Sequence, residues 1–261
     1  MTAAGPATTS RDKKIKVIVP VPLTAAALKM YEEQVPPDLI APGYDVEFVG
    51  VRNGGVHGGN LYEALLYEIF VLDAGAKAED QGYSAVCINS MSDSGVGALR
   101  SRLKIPVVGT GQATLLMACL LGRKFSIITM WRQWDHFYHK ILSEQGLSSR
   151  LASIRSIDVE PDPVKLLSDK AQEIYTRLEA EARAAIEEDQ ADVIVIGSTT
   201  MHQSHAHLAA ALPVPVINPG AVAYKVCELL LATGLTHSKS TYSSPAHLAD
   251  DMFACVPSRY G

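Results

Sequence analysis

No apolar run in this 261-residue chain reaches the roughly 20 residues that a membrane-crossing helix needs, and the opening MTAAGPATTSRDKK lacks the apolar core of a secretion signal. A dominant charge is missing as well. The formal net charge is −5 with acids and bases interspersed, which gives neither nucleic acid nor an anionic lipid surface a basic patch to bind. Cysteine is scarce: Cys87, Cys119, Cys227 and Cys255 form no CxxC pair, and the first three fall within apolar segments, as small buried thiols do. A reducing cytoplasm is the expected compartment. The nucleotide signatures are absent too, because the glycine-rich stretch RNGGVHGGN at 52–60 matches neither the dinucleotide fingerprint nor the P-loop.

The 48% hydrophobic content is enough for a substantial core, and its distribution gives the fold class. Short β-branched runs bounded by turn residues occur at 15–21, 46–51, 85–88, 106–109, 125–129, 193–196 and 214–217, with a more polar candidate at 155–159. Helical spacing of apolar residues marks 61–81, 114–121 and 163–188 between them. This alternation predicts an α/β protein with parallel sheets. Residues 1–13 are expected to be a disordered tail, and the segment from Thr233 onward mostly irregular.

The chain also repeats itself. SAVCINS followed by KIPVVGTGQATLLMACLL has a counterpart in DVIVIGS followed by PVPVINPGAVAYKVCELL. Ser90 pairs with Ser198, Pro106 with Pro215 and Gly111 with Gly220, the last two pairs one position further apart than the first. Two such units predict two pseudo-symmetric doubly wound lobes, 14–109 and 110–217, with 218–261 forming a C-terminal helix and tail that return to the first lobe. Open α/β sheets bind ligands at strand C-termini, so Ser90 and Ser198 are expected on opposite walls of one cleft between the lobes.

These stretches, above all 104–129, 191–197 and 215–225, resemble the aspartate/glutamate/hydantoin racemase superfamily, in its hydantoin and allantoin racemase branch. The resemblance covers about residues 14–233. It implies a cofactor-independent racemase, epimerase or isomerase acting on a small carboxylate, hydantoin or cyclic amide, and a homo-oligomer. Family members carry two cysteines across the cleft, one removing the proton from the stereocentre and the other returning one. At those positions this chain has serines, in Ser90-Met91-Ser92-Asp93-Ser94-Gly95 and Gly197-Ser198-Thr199-Thr200-Met201. At the end of the first strand, where the family often has Asn-Pro-Asn-Thr, it has Val19-Pro20-Val21-Pro22.

The exchange matters because a thiol titrates near pH 8.5 whereas an alkanol lies many units higher and is a poor base for a carbon acid. Cys87 does not substitute, since it lies inside a strand. The segment GSTTMHQSHAH offers His202, His205 and His207, and His202, one helical turn from Ser198, is the expected catalytic base beside Ser90 and Ser198. The family's anion-binding turns would persist in Met91, Ser92, Asp93, Thr129, Thr199 and Thr200. Trp131 with Trp134 would supply an aromatic wall, on which His136 and His139 could also stand. Pro20 would line the first strand's end, and His57 would contact ligand from a mobile glycine-rich loop. Neither HQSHAH nor HFYHK has the spacing of a known zinc motif, so no metal is expected. A decarboxylase, lyase or hydrolase using the same oxyanion pocket, and a non-catalytic small-molecule-binding protein, are the alternative readings.

Overall fold

The computed structural model describes residues 13–55, 57–161 and 171–259. Among these residues, eight strands form two four-stranded parallel sheets of identical topology. The first contains β1 (Lys13–Val19), β2 (Tyr44–Gly50), β3 (Ala85–Ile88) and β4 (Val107–Gly109), in the order β2-β1-β3-β4. The second contains β5 (Phe125–Thr129), β6 (Leu151–Ser156), β7 (Val193–Ile196) and β8 (Val216–Ile217), in the order β6-β5-β7-β8. Strands β3, β5 and β7 are buried at every residue, which is why they read as unbroken apolar runs rather than alternating ones.

Helices α1 (Ala25–Glu32), α2 (Leu61–Gly75) and α3 (Val96–Arg102) belong to the first half of the chain, and α4 (Thr110–Leu121) follows β4. Helices α5 (Asp135–Glu144), α6 (Ala171–Glu187) and α7 (His205–Ala211) belong to the second half, and α8 (Pro219–Thr233) follows β8. The lobes exchange their last helices. Leu115 and Ala118 of α4 pack into the core of the second sheet with Phe125, Ile127, Val193 and Val195. In the other direction, Ala223, Tyr224 and Cys227 of α8 pack into the core of the first with Ile15, Val17, Ala85 and Cys87. Each fully buried aliphatic side chain in these contacts contributes about 1.5–3 kcal/mol, so the exchange locks the lobes together and fixes the relation of their strand ends.

Several boundaries differ from the sequence expectation. Lys13 belongs to β1, paired with Tyr44, and the rest of the expected tail lies outside the described residues. Helix α2 stops at Gly75, not at 81; Gly75 allows close packing, since a Cβ there would meet both methyl groups of Leu99 within 2.8 Å, and the chain then turns at Gly82 with φ +83°. The first residues of the 163–188 helix lie outside the described set. Strand β6 starts at Leu151, four residues before the expected segment, whose Ile157 and Val159 still donate to the carbonyls of Thr129 and Met130.

Candidate active site

Both serines leave the C-terminal ends of their strands at equivalent points, Ser90 after β3 and Ser198 after β7, and both line one cavity of about 410 Å³. The same local turn forms at each. The Ser90 hydroxyl accepts from the Ser92 N–H at 3.2 Å and lies 2.9 Å from the Ser92 hydroxyl, and the chain of hydroxyls continues to Ser94 at 2.9 Å. The Ser198 hydroxyl accepts from the Thr200 N–H at 3.3 Å and lies 2.8 Å from the Thr200 hydroxyl. Such side-chain-to-backbone bonds fix the hydroxyl direction at the start of each turn. The N–H groups of Met91 and Thr199, the residues after each serine, donate to no partner among the described residues. Each residue lines the cavity.

The turn after β3 is held from below. Asp93, at φ +50°, accepts from the N–H groups of Gly111 and Gln112 at 2.7 Å each and so caps α4. Glycine is needed opposite it, because a Cβ at Gly109 or Gly111 would approach the Asp93 carboxylate to 2.5 or 3.2 Å. Burial pushes the Asp93 carboxyl up to about 7, against the pull of its two backbone donors. The turn after β7 is held by Tyr138, whose hydroxyl donates to the Gly197 carbonyl at 2.7 Å and lies 2.8 Å from Thr129 Oγ1.

Of the residues singled out from sequence, Ser90, Ser198, Met91, Thr199, Thr200, Pro20 and His57 line the cavity. The others do not. Asp93 is a helix cap, Ser92 is the buried second member of the hydroxyl chain, and Thr129 is fully buried behind Gly197. Trp131 packs edge-on against the His57 ring, and the aromatic wall is made by Trp134, Phe137 and Tyr138, with Tyr67 stacked on Phe137 at 6.4 Å. Neither His136 nor His139 is part of that wall.

The expected base His202 stands apart from the cavity lining. Its Nδ1 lies 3.2 Å from the Thr199 carbonyl, and burial lowers its pKa, keeping the ring neutral with Nδ1–H as donor. His205 and His207 are tied to the Val216 carbonyl and to Glu179. The cause is the backbone: Thr199–Ser204 is a 3-10 segment, in which a residue four places on from Ser198 is rotated about a third of a turn away instead of lying on the same face.

His57 is therefore the one histidine lining the cavity. Its loop is closely packed: a Cβ at Gly58 would meet Tyr67 at 2.6 Å and one at Gly59 would meet Trp131 at 2.4 Å, and the Trp134 indole N–H donates to the His57 carbonyl at 2.7 Å. The glycines serve close approach. Sequence reasoning missed Asn89, which lines the cavity, is 2% exposed and donates to Gln34 Oε1 at 3.0 Å while its Oδ1 has no partner among the described residues. A polar residue immediately before Ser90 at a strand end was the available signal. Also missed were Val21, Leu23, Met30 and Tyr31, the apolar lining brought by β1 and α1, and Arg259 from the tail. Cys87 and Cys227 are buried in the first core, Cys119 is half-buried and Cys255 is exposed, so no thiol stands at the cavity.

A family model described as Asp/Glu/Hydantoin racemase matches residues 19–227. The hydantoin racemase of Rhizobium meliloti is 34% identical over 170 residues, covering 65% of this chain and 69% of that protein. That of Paenarthrobacter aurescens is 26% identical over 233 residues, covering 88% and 98%. Among solved structures, the allantoin racemase from Klebsiella pneumoniae superposes with a TM-score of 0.81 at 26% identity, covering 91% of this chain and 95% of that one.

Proposed function

The chain belongs to the Asp/Glu/hydantoin racemase family, and from that premise we propose that it inverts a stereocentre beside a carbonyl in a 5-substituted hydantoin or related cyclic amide, without a cofactor. The observation that carries this reading is the pair of equivalent strand ends lining one cavity, each offering a fixed hydroxyl and an uncommitted N–H. A carbon acid next to a carbonyl becomes easier to ionise when the enolate oxygen meets aligned donors, and the amides of Met91 and Thr199 supply them. Ser90 and Ser198 stand at the two acid/base positions on opposite lobes, so that a proton leaves one face and another arrives at the other. An alkanol is a weak base, and the imidazole of His57, which lines the cavity, serves as the partner base in the proton transfer.

The cavity volume suits one small ligand, and the apolar and aromatic lining favours a substituent at the stereocentre that is itself apolar over most of its length. The four unpaired cysteines support a reducing cytoplasm as the site of action. An exposed apolar stripe on α2, formed by Leu61, Tyr62, Leu65 and Ile69, supports assembly into a homo-oligomer.

The test uses one enantiomer of 5-benzylhydantoin in deuterated water. Loss of optical activity with deuterium entering C5 above the uncatalysed rate, and loss of that rate in Ser198→Ala, is the expected result. Carbon dioxide release or ring opening instead would move the reaction to a decarboxylase or hydrolase, and saturable binding without turnover would leave a binding protein.

A further inference from the structure

The tail after α8 does not trail into solvent but is fastened across the first lobe. Arg102 pairs with Asp250 at 2.8 Å, and Phe253 of the 3-10 segment Asp250–Cys255 is buried. Arg52 holds Asp73 with two bonds, at 2.6 and 2.8 Å, and turns its remaining donors to the carbonyls of Phe253 and Val256. The Asn53 amide donates to the Pro257 carbonyl at 3.3 Å, and the Arg259 N–H donates to the Arg52 carbonyl at 2.7 Å. These bonds bring Arg259 to the cavity wall beside the loop that follows β2.

Among the described residues, Arg259 is the one Lys or Arg that lines the cavity, and no carboxylate of those residues lines it. Its side chain makes no hydrogen bond or ion pair among the described residues. We infer that Arg259 is a specificity residue that receives an anionic group on the substrate, so that the preferred substrate carries a carboxylate at the far end of its apolar substituent. The geometry sets the reach. Strand β1 lies between β2 and β3, which separates the β2 loop from the Ser90 end by about 10 Å, close to the length of an aryl substituent ending in a carboxylate. Most of the remaining lining is apolar or aromatic, and among the described residues it brings no second Lys or Arg to compete for a carboxylate. A guanidinium also suits a carboxylate, which it can bind through two parallel bonds.

This inference rests on the proposed racemase reading, and the experiment separates the two. The kcat/KM for 5-(4-carboxybenzyl)hydantoin is compared with that for 5-benzylhydantoin in the parent, Arg259→Ala and Arg259→Lys. The ratio of charged to neutral substrate should fall about fivefold in Arg259→Ala, mostly through KM, and recover in part in Arg259→Lys. The parent's preference should shrink toward that of Arg259→Ala as salt is raised. An equal ratio in all three proteins overturns the inference while leaving racemisation intact. If neither hydantoin is turned over, the racemase reading fails, and binding of 4-carboxyphenylacetate measured by calorimetry decides the inference alone: weaker binding to Arg259→Ala upholds it, and equal binding overturns it.

Discussion

Thr199 on the second lobe donates its hydroxyl hydrogen to the carbonyl oxygen of Asn89 on the first, at 3.3 Å, across 110 positions of sequence. Each of these residues is next to one of the two serines, so this bond sets the spacing of the hydroxyls that the proposed reaction uses.

Replacing Thr199 with Val keeps the shape but leaves the Asn89 carbonyl without this partner in a site where Thr199 is only 3% exposed. The expected loss is about 1–3 kcal/mol in urea unfolding. KM for the hydantoin should rise severalfold as the two walls lose their register, and unchanged stability together with unchanged KM would show that the strand ends are held elsewhere.

The histidines separate cleanly by position. His202→Ala should retain activity within about twofold, since its ring is committed to the Thr199 carbonyl outside the cavity, whereas His57→Ala should lose about a hundredfold or more in kcat. Steady-state rates and circular dichroism on both variants check this. An inactive, folded His202→Ala would restore the base that the sequence suggested.

The serines were legible because a repeat shows itself in sequence, and two apolar strands ending in the same polar residue at nearly the same spacing need no contact information to be matched. Strands β3, β5 and β7 were legible for a related reason: burial on both faces leaves no polar residue to blur their ends. Edge strand β6 was displaced because its solvent-facing residues, among them Arg155 bound to Asp189 at 2.6 Å, break the apolar run. The position of His202 off the cavity lining was not legible, because residue type does not reveal whether a turn winds at 3.0 or 3.6 residues. Arg259 was invisible, since its placement depends on Arg52 and Asn53 gripping a tail that has no periodicity of its own.

His237 provides a pH signature for that tail. Its Nε2 accepts from the Val107 N–H at 2.7 Å, and burial, reinforced by the nearby Arg100 and Lys239 charges, lowers its pKa to about 4. A depressed folded-state value means that the unfolded chain takes up the proton first. The stabilising contribution is therefore complete above about pH 6.5 and is lost as pH falls through about 4. Half-burial reduces the full linkage value to about 1–2 kcal/mol. Unfolding free energies from pH 7 to 4 should fall less steeply in His237→Gln than in the parent, and identical slopes would remove His237 from the account.

The sharpest prediction concerns the serines themselves, because the gap between alkanol and thiol acidity is far larger than any effect of packing. Both side chains line the cavity and neither fills a core, so the slightly larger sulfur can be accommodated, and Ser90→Cys/Ser198→Cys should unfold within about 1 kcal/mol of the parent. With thiols at both positions, proton removal at C5 no longer needs help from an imidazole. The double variant should exchange the C5 proton of 5-benzylhydantoin faster than the parent by about tenfold or more, and it should tolerate His57→Ala where the parent does not. It should also become sensitive to iodoacetamide in a way that substrate protects against, while the parent, whose exposed Cys255 lies away from the cavity, keeps its activity after alkylation. Deuterium incorporation followed by proton NMR reads all of these. A double variant no faster than the parent, yet folded and alkylated at both new thiols, would mean that the proton moves through groups other than those at positions 90 and 198, and the two-wall mechanism would have to be abandoned.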